Sequence, residues 1–385
     1  MNKKIIGIVG SGMVGRDPFD PRCWSRAGYN LFTKLRERDH LRRAFGVEVP
    51  HPLRGLLMAR NFHLERKLWV QRFNFDPAYY RLLTREIRRG LRPEDFDPAN
   101  VILQIGGFYN AREASGGKLA AYSYHDANVS GLMKSPYFQK ENLPYARKAF
   151  EYEKAVLRDM TKVFVMSDFW RRSFIEDFGV PAERVVKIGT GANVEIPPPI
   201  EKDYSRKNIV FSGIEFTRKG GEHLVAAFQR VVEKHPDARL HIIGPREVPA
   251  ALKAPGLRNV EFHGHLSREN TAQNALLFKL LREGTLLVLP SLYEPSGNAV
   301  LEGMLYSMPV IATNDWSFPD FVTPETGLLL DDPTDYDEFA GKLDVFLSDP
   351  DRAARAGRAG RALVVGYYTW EHVVERLMKE VSAPA

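Results

Sequence analysis

Two glutamates, Glu294 and Glu302, stand eight positions apart in the stretch EPSGNAVLE, directly after the apolar run TLLVLPS. A carboxylate accepts several hydrogen bonds, so a pair of them suits a ligand with vicinal hydroxyls. Pro295 and Ser296 are residues that open helices, and the pattern predicts a helix over about 297–306. Glu294 then falls in a loop at the carboxyl end of a strand, and Glu302 projects from the helix about two turns later. Between them, the N–H groups of Gly297 and Asn298 at the helix start can receive phosphate oxygens. Hydroxyl acceptors flanking a phosphate site are what a nucleotide-sugar requires. A surface helix with two unrelated glutamates would show the same spacing.

A second segment, FSGIEFTRKGG at 211–221, also follows an apolar run and precedes an amphipathic helix. Arg218 and Lys219 sit just before that helix start, where their charges and the helix dipole would act together on a diphosphate. An ordinary strand–turn–helix connection would carry the same residues. A third segment, with Gly10, Gly12 and Gly15, matches the dinucleotide fingerprint G-x-G-x-x-G. Its context excludes a nicotinamide cofactor. Pro18 and Pro21 would break the helix that must begin there, and Tyr29 to Arg43 reads as helix instead of a strand ending in an acidic residue.

The elements that must hold these segments are short apolar runs: 4–9, 101–105, 119–124, 162–166, 184–188, 208–212, 239–243, 259–263, 285–290, 309–312 and 327–330. Most are continuously apolar, as strands buried on both faces of a parallel sheet are. Helical patterns alternate with them; in 220–235 Leu224, Ala227, Phe228, Val231 and Val232 form one stripe. The chain therefore reads as α/β. Residues 195–207, EIPPPIEKDYSRK, read as an exposed linker between two halves, each with strands enough for a doubly wound sheet. Ligands bind beyond the carboxyl ends of such strands, and two facing sheets would form a cleft.

The 385 residues suit two domains, and 44% hydrophobic with 26% charged residues is ordinary for a soluble protein. One cysteine, Cys23, cannot form an internal disulfide, which fits a reducing, cytoplasmic setting. The N-terminus reads as a first strand and not as a signal peptide, and no apolar run approaches the roughly 20 residues of a membrane span. The net charge of +6 is uneven: residues 1–100 hold 20 Lys and Arg against 11 Asp and Glu. Much of the excess lies between Arg54 and Arg92. Such a face can meet an anionic membrane surface or a phosphorylated substrate, or be a solvated helix surface. Zinc-finger spacing, basic-region heptads and aromatic-basic RNA signatures are absent, so no nucleic-acid partner is expected.

Taken in order, SLYEPSGNAVLEGMLYSMPVIAT, TGLLL and the upstream FSGIEFTRKGG resemble the donor-binding region of glycosyltransferase family 4, retaining enzymes of GT-B fold. YYTWEHVVERL (367–377) resembles that family's last helix. The resemblance runs from Asn208 to the end and is weaker before it. It implies two Rossmann-like doubly wound parallel-sheet domains facing a central cleft: an acceptor domain over 1–195 with the returning helix 366–385, a linker at 196–207 and a donor domain over 208–365. It implies that Glu294 binds hydroxyls of the donor sugar, that Glu302 holds the ribose, and that Arg218 and Lys219 neutralise the leaving diphosphate with the backbone from Gly297 to Ala299. His125, in YSYHD, resembles the histidine beside the donor sugar. Gly10 and Gly12 stand for the first-loop glycines, and the backbone at His263 and Gly264 for a base contact. Many relatives carry a separate arginine where this chain has Gly213 and Ile214. The first loop is also longer and more aromatic, so Trp24, Arg26 and Tyr29 are candidates to line an acceptor pocket. The function implied is transfer of a hexose from a UDP- or GDP-type sugar to a hydroxyl acceptor, with retention and with no metal or other cofactor. A phosphorylase or epimerase of the same fold, or a non-catalytic module using the basic face, are the alternatives.

Overall fold

The computed structural model describes residues 3–10, 17–249, 252 and 256–383. Gly12 and Gly15 lie outside the described residues. Twelve strands are present among them: β1 Lys4–Gly10, β2 Leu41–Val47, β3 Asn100–Ile105, β4 Ala121–His125, β5 Lys162–Val165, β6 Val185–Lys187, β7 Asn208–Ser212, β8 Arg239–Ile243, β9 Val260–Gly264, β10 Leu286–Leu289, β11 Val310–Thr313 and β12 Gly327–Leu330. They form two sheets of six, ordered β2-β1-β3-β4-β5-β6 and β12-β11-β10-β7-β8-β9, with every pairing parallel. The chain divides into a unit of residues 1–193 with 370–385 and a unit of residues 194–369.

Continuous apolarity marks the central strands because both faces are covered by helices. All residues of β3, β10 and β11 are buried. β2 is the strand that sequence periodicity misses. The helix there ends at Glu37 and a strand follows, at the edge of its sheet. Its run LRRAFGV is only partly buried, and Arg43 Nε donates 2.9 Å to the fully buried Asp95 carboxylate. An edge strand with one wet side needs no apolar run.

The last helix, Trp370–Ser382, belongs to the first unit. Val373, Val374, Leu377 and Val381 are buried in the same core as Leu31, Phe32 and Leu35 of the helix Ala27–Glu37. Each such side chain contributes about 1.5–3 kcal/mol by leaving water. Lys34 pairs with Glu371 and Lys162 with Glu380, both at 2.7 Å, and Arg376 Nε donates 2.8 Å to the Ile188 carbonyl. Residues 196–207, expected as an exposed linker, hold only exposed and half-buried residues and are also fastened to the second unit. Arg361 Nη2 donates 2.5 Å to the Pro197 carbonyl, and the Tyr204 hydroxyl donates 2.6 Å to Ser307. Lys202 caps the carbonyls of Leu281 and Gly284, and burial lowers its ammonium to about 7. The sequence showed the prolines but not these tertiary bonds.

One carboxyl in the first unit is buried without a cation. Glu153, on the helix Leu143–Asp159, accepts 2.9 Å from the Val129 N–H, just beyond β4, and burial pushes its pKa up to about 8. The folded chain then keeps a proton that the unfolded chain releases above about pH 4.5. Stability should fall as pH rises from 5 to 8, by at most about 1.4 kcal/mol per pH unit. Glu153→Gln imitates the protonated acid. Denaturant midpoints should match wild type at pH 5 and exceed it at pH 8; parallel pH profiles for the two proteins would refute the assignment.

Candidate functional site

In the second sheet, read from β9 to β12, the order is that of a Rossmann domain, and it reverses between β7 and β10. Ligands bind at the carboxyl side of such a switch point. The two loops leaving these strands carry the expected residues. After β7 the chain turns through Gly213 to Gly220 into the helix Gly221–Lys234. Gly220 has φ +71°, and a Cβ there would stand 2.0 Å from the Pro290 carbonyl oxygen, so only glycine allows the two loops to touch. Hydrogen bonds join them: Leu292 N–H donates 3.0 Å to Arg218 O, and Arg218 Nη1 donates 2.6 Å to Tyr293 O.

Glu294 is the centre of this junction and only 4% exposed. It pairs with Lys219, accepts 3.2 Å from Ser291 Oγ and accepts 3.2 Å from the Gly297 N–H. Burial alone would raise its pKa. The charges of Lys219 and Arg218 and these hydrogen bonds outweigh burial and hold the carboxyl below its ordinary value. Gly297, at φ +69°, is the N-cap of the helix Asn298–Leu305, in a left-handed conformation that favours glycine. Its N–H, expected to face phosphate, is taken by the Glu294 carboxylate three residues earlier. Ser296 is half-buried beside it.

Glu302 projects from that helix into a pocket of about 160 Å³ lined by Gly213, Gly244, His265, Arg268 and Ala299. Arg268 Nη2 donates 2.9 Å to Glu302 Oε2. Sequence reasoning missed Arg268. It lies 34 positions before its partner in a polar stretch, with no local pattern to mark it. His263 and Gly264 do not line this pocket; the next residues, His265 and Leu266, do. The Gly264 carbonyl is occupied by the Gly244 N–H at 2.8 Å, and the His263 ring meets His241.

In the first unit the strand order also reverses, beside β1 and β3. Gly10 ends β1 against the Tyr109 ring. His125 ends β4; it is 1% exposed, its ring centroid lies 4.7 Å from that of Phe174, and neither ring nitrogen has a hydrogen-bond partner. Burial lowers its pKa to about 3, so it stays neutral. An unsatisfied buried polar group costs about 1–3 kcal/mol, which a ligand hydroxyl could recover. Trp24, Ser25 and Arg26 form a left-handed run at φ 47°, 53° and 74°. Each such residue stores on the order of 1–3 kcal/mol of strain, which tends to persist where function requires it. Trp24 Nε1 donates 2.9 Å to Asp126, next to His125, and Asn193 Nδ2 donates 2.9 Å to Ser25 O. Arg26 Nε is buried without a partner, and Tyr29 is half-buried on the following helix. Cys23 beneath them is inert, its thiol pushed up to about 12 by burial.

Two doubly wound parallel sheets of six strands are the pair of Rossmann-like domains of the GT-B fold. The solved structure of sucrose-phosphate synthase from Thermosynechococcus elongatus shares the fold, with a TM-score of 0.69 over 98% of each chain at 17% identity. Residues 194–363 match the family model for glycosyl transferases group 1, and residues 26–196 match that for glycosyltransferase family 4. The chain belongs to glycosyltransferase family 4. Among curated relatives, a GDP-mannose-dependent monoacylated alpha-(1-6)-phosphatidylinositol monomannoside mannosyltransferase of Corynebacterium glutamicum is 33% identical over 46% of this chain and 50% of its own. The match thus spans half the length of that relative. The MMP alpha-(1->4)-mannosyltransferase of Mycolicibacterium hassiacum is 24% identical over 95% of this chain and 87% of its own.

Removing one partner of a buried ion pair costs more than removing both. Lys219→Met should therefore lower unfolding stability by about 3 kcal/mol or more, and the double variant Lys219→Met/Glu294→Gln should regain most of it. Denaturant unfolding of both variants decides this. Equal stability of Lys219→Met and wild type would show that the pair does not hold the two loops.

Proposed function

We propose that this chain transfers a hexose from a UDP- or GDP-type sugar to a hydroxyl acceptor with retention of configuration. The observation that supports it most is the charge arrangement at the β7/β10 switch point. Lys219 and Arg218 are positive groups beside a helix start, with the Glu294 carboxylate against Lys219 and Glu302 in the pocket that Gly213 and Gly244 also line. In the reaction the bond from the anomeric carbon to the diphosphate oxygen breaks, and negative charge builds on the leaving group. Lys219, Arg218 and the start of the helix Asn298–Leu305 stabilise that charge electrostatically, a task that requires no metal. The acceptor oxygen bonds to the anomeric carbon from the same face, and its proton passes to the departing phosphate. Glu294 orients sugar hydroxyls, and Glu302 with Arg268 holds the ribose. The unpartnered nitrogens of His125 suit a hydroxyl-bearing ligand.

The acceptor, in this reading, lies at an anionic membrane surface. Leu56, Phe62, Leu64 and Val70 are the exposed large apolar side chains of the first unit among the described residues. All four lie within 51–74, among Arg54, Arg60, Arg66, Lys67 and Arg72. Apolar and basic side chains mixed on one exposed surface are what binds the interface of an anionic bilayer. Arg60 lies 3.9 Å from Asp76 and Arg72 donates to Asn142, much as Arg85 and Arg89 pair with Glu86 and Arg88 lies 4.0 Å from Glu113, so the basic side chains this surface rests on are Arg54, Arg66 and Lys67. The Corynebacterium relative, whose name specifies a GDP-mannose donor and a phosphatidylinositol mannoside acceptor, makes GDP-mannose the first donor to test. No helix among the described residues is long and apolar enough to cross a membrane.

Calorimetric titration with GDP-mannose, UDP-glucose and UDP-N-acetylglucosamine should show saturable binding of at least one. Glu302→Ala should weaken it about tenfold or more, or roughly 1.4 kcal/mol. No binding of any of the three, or indifference to Glu302→Ala, overturns the donor reading. For the membrane, the protein should sediment with phosphatidylcholine vesicles containing phosphatidylglycerol and not with phosphatidylcholine alone. Leu56→Glu/Leu64→Glu should lose that binding while retaining donor affinity; unchanged sedimentation would refute the surface.

A further inference from the structure

β8 and β9 close one edge of the second sheet. Their register sets His241 opposite Glu261, and His263 lies two residues further along β9, on the same face. The side chains converge. His241 Nδ1 stands 3.1 Å from His263 Nε2, and Glu261 Oε2 stands 3.5 Å and 3.9 Å from those two nitrogens. The imidazoles are 12% and 15% exposed and the carboxylate 48%, so the cluster is walled on the protein side and open toward solvent at the carboxylate. Among the described residues this is the one group of three such side chains whose ligand atoms lie within 4.8 Å of one another.

Ligand atoms bound to a tetrahedral zinc ion at 2.0–2.2 Å stand about 3.3 Å apart. The three separations here bracket that value, and two imidazoles with one carboxylate are a donor set that borderline divalent metals favour. We propose that His241, Glu261 and His263 form a zinc site that ties the edge strand β9 to β8, with the remaining position open to water. The arrangement also meets a hydrogen-bonding requirement. Without a metal, only one of the two facing nitrogens can donate to the other. With one, both serve as ligands.

The site is separate from the carboxylates and cations of the switch point, and its consequence is mechanical. His263 precedes Gly264, whose carbonyl accepts the Gly244 N–H, and Gly244 and His265 line the pocket that holds Glu302. Metal at the edge braces the strand from which that wall departs.

The test uses the full chain, stripped with a chelator and titrated with Zn²⁺ by calorimetry and with Co²⁺ by visible absorption. One saturable site is expected, with a tetrahedral cobalt spectrum and a rise in thermal midpoint on zinc addition. His263→Ala should weaken zinc binding at least tenfold and abolish the thermal shift. Glu261→Gln, at a half-exposed position where folding is not at risk, should also weaken it, and His63→Ala in the first unit should not. Circular dichroism of each variant separates lost binding from lost fold. Absent zinc binding, or binding that neither Glu261→Gln nor His263→Ala weakens, overturns the proposal and leaves a hydrogen-bonded histidine pair.

Discussion

A sheet whose strands all run one way gathers their carboxyl ends along a single edge, and the helices that return the chain start from that same edge. The charged junction of the second unit follows from that constraint. Strand ends deliver loops, helix starts deliver N–H groups and partial positive charge, and the switch in strand order opens a gap between neighbouring loops. In the second unit the gap is filled by Glu294, Lys219 and Arg218, drawn from two loops 75 positions apart and joined by hydrogen bonds. The same geometry explains why Gly220 is glycine. The loops could not meet if either carried more bulk.

Placing a carboxylate at 4% exposure requires compensation, and here two cations and a helix-start N–H supply it. Lys219 holds Glu294 ionised, and Glu294 in turn fixes the Gly297 N–H and so the start of its helix. The positive groups are therefore positioned by the residue they stabilise. Glu302 shows the looser version of the same idea. It is less buried and paired with one arginine from the loop after β9. The first unit uses steric strain in place of charge. Three successive left-handed residues turn Trp24 toward Asp126, and His125 is held neutral by burial alone.

Much of this was legible in the chain because the signals were local. Continuous apolar runs revealed all strands but β2, whose edge position lets it carry Arg42 and Arg43. The loop and helix around Glu294 were marked by Pro295 and Gly297, residues whose backbone preferences act at their own positions. What could not be read was tertiary. Arg268 meets Glu302 only after folding, the Gly297 N–H is claimed by a side chain, and the segment 196–207 is fastened by Lys202, Tyr204 and Arg361. Leu64 looked like any other apolar residue. Its exposure is a property of the fold and not of its neighbours in sequence.

The helix Trp370–Ser382 has a consequence for how the molecule comes into being. Its apolar face completes a core whose other members lie before residue 194, so the first unit is discontinuous in the chain while the second is not. The two parts of that core are separated along the chain by the whole of the second unit, so sealing it joins residues far apart in sequence, a closure that is slower than the local contacts made within either part.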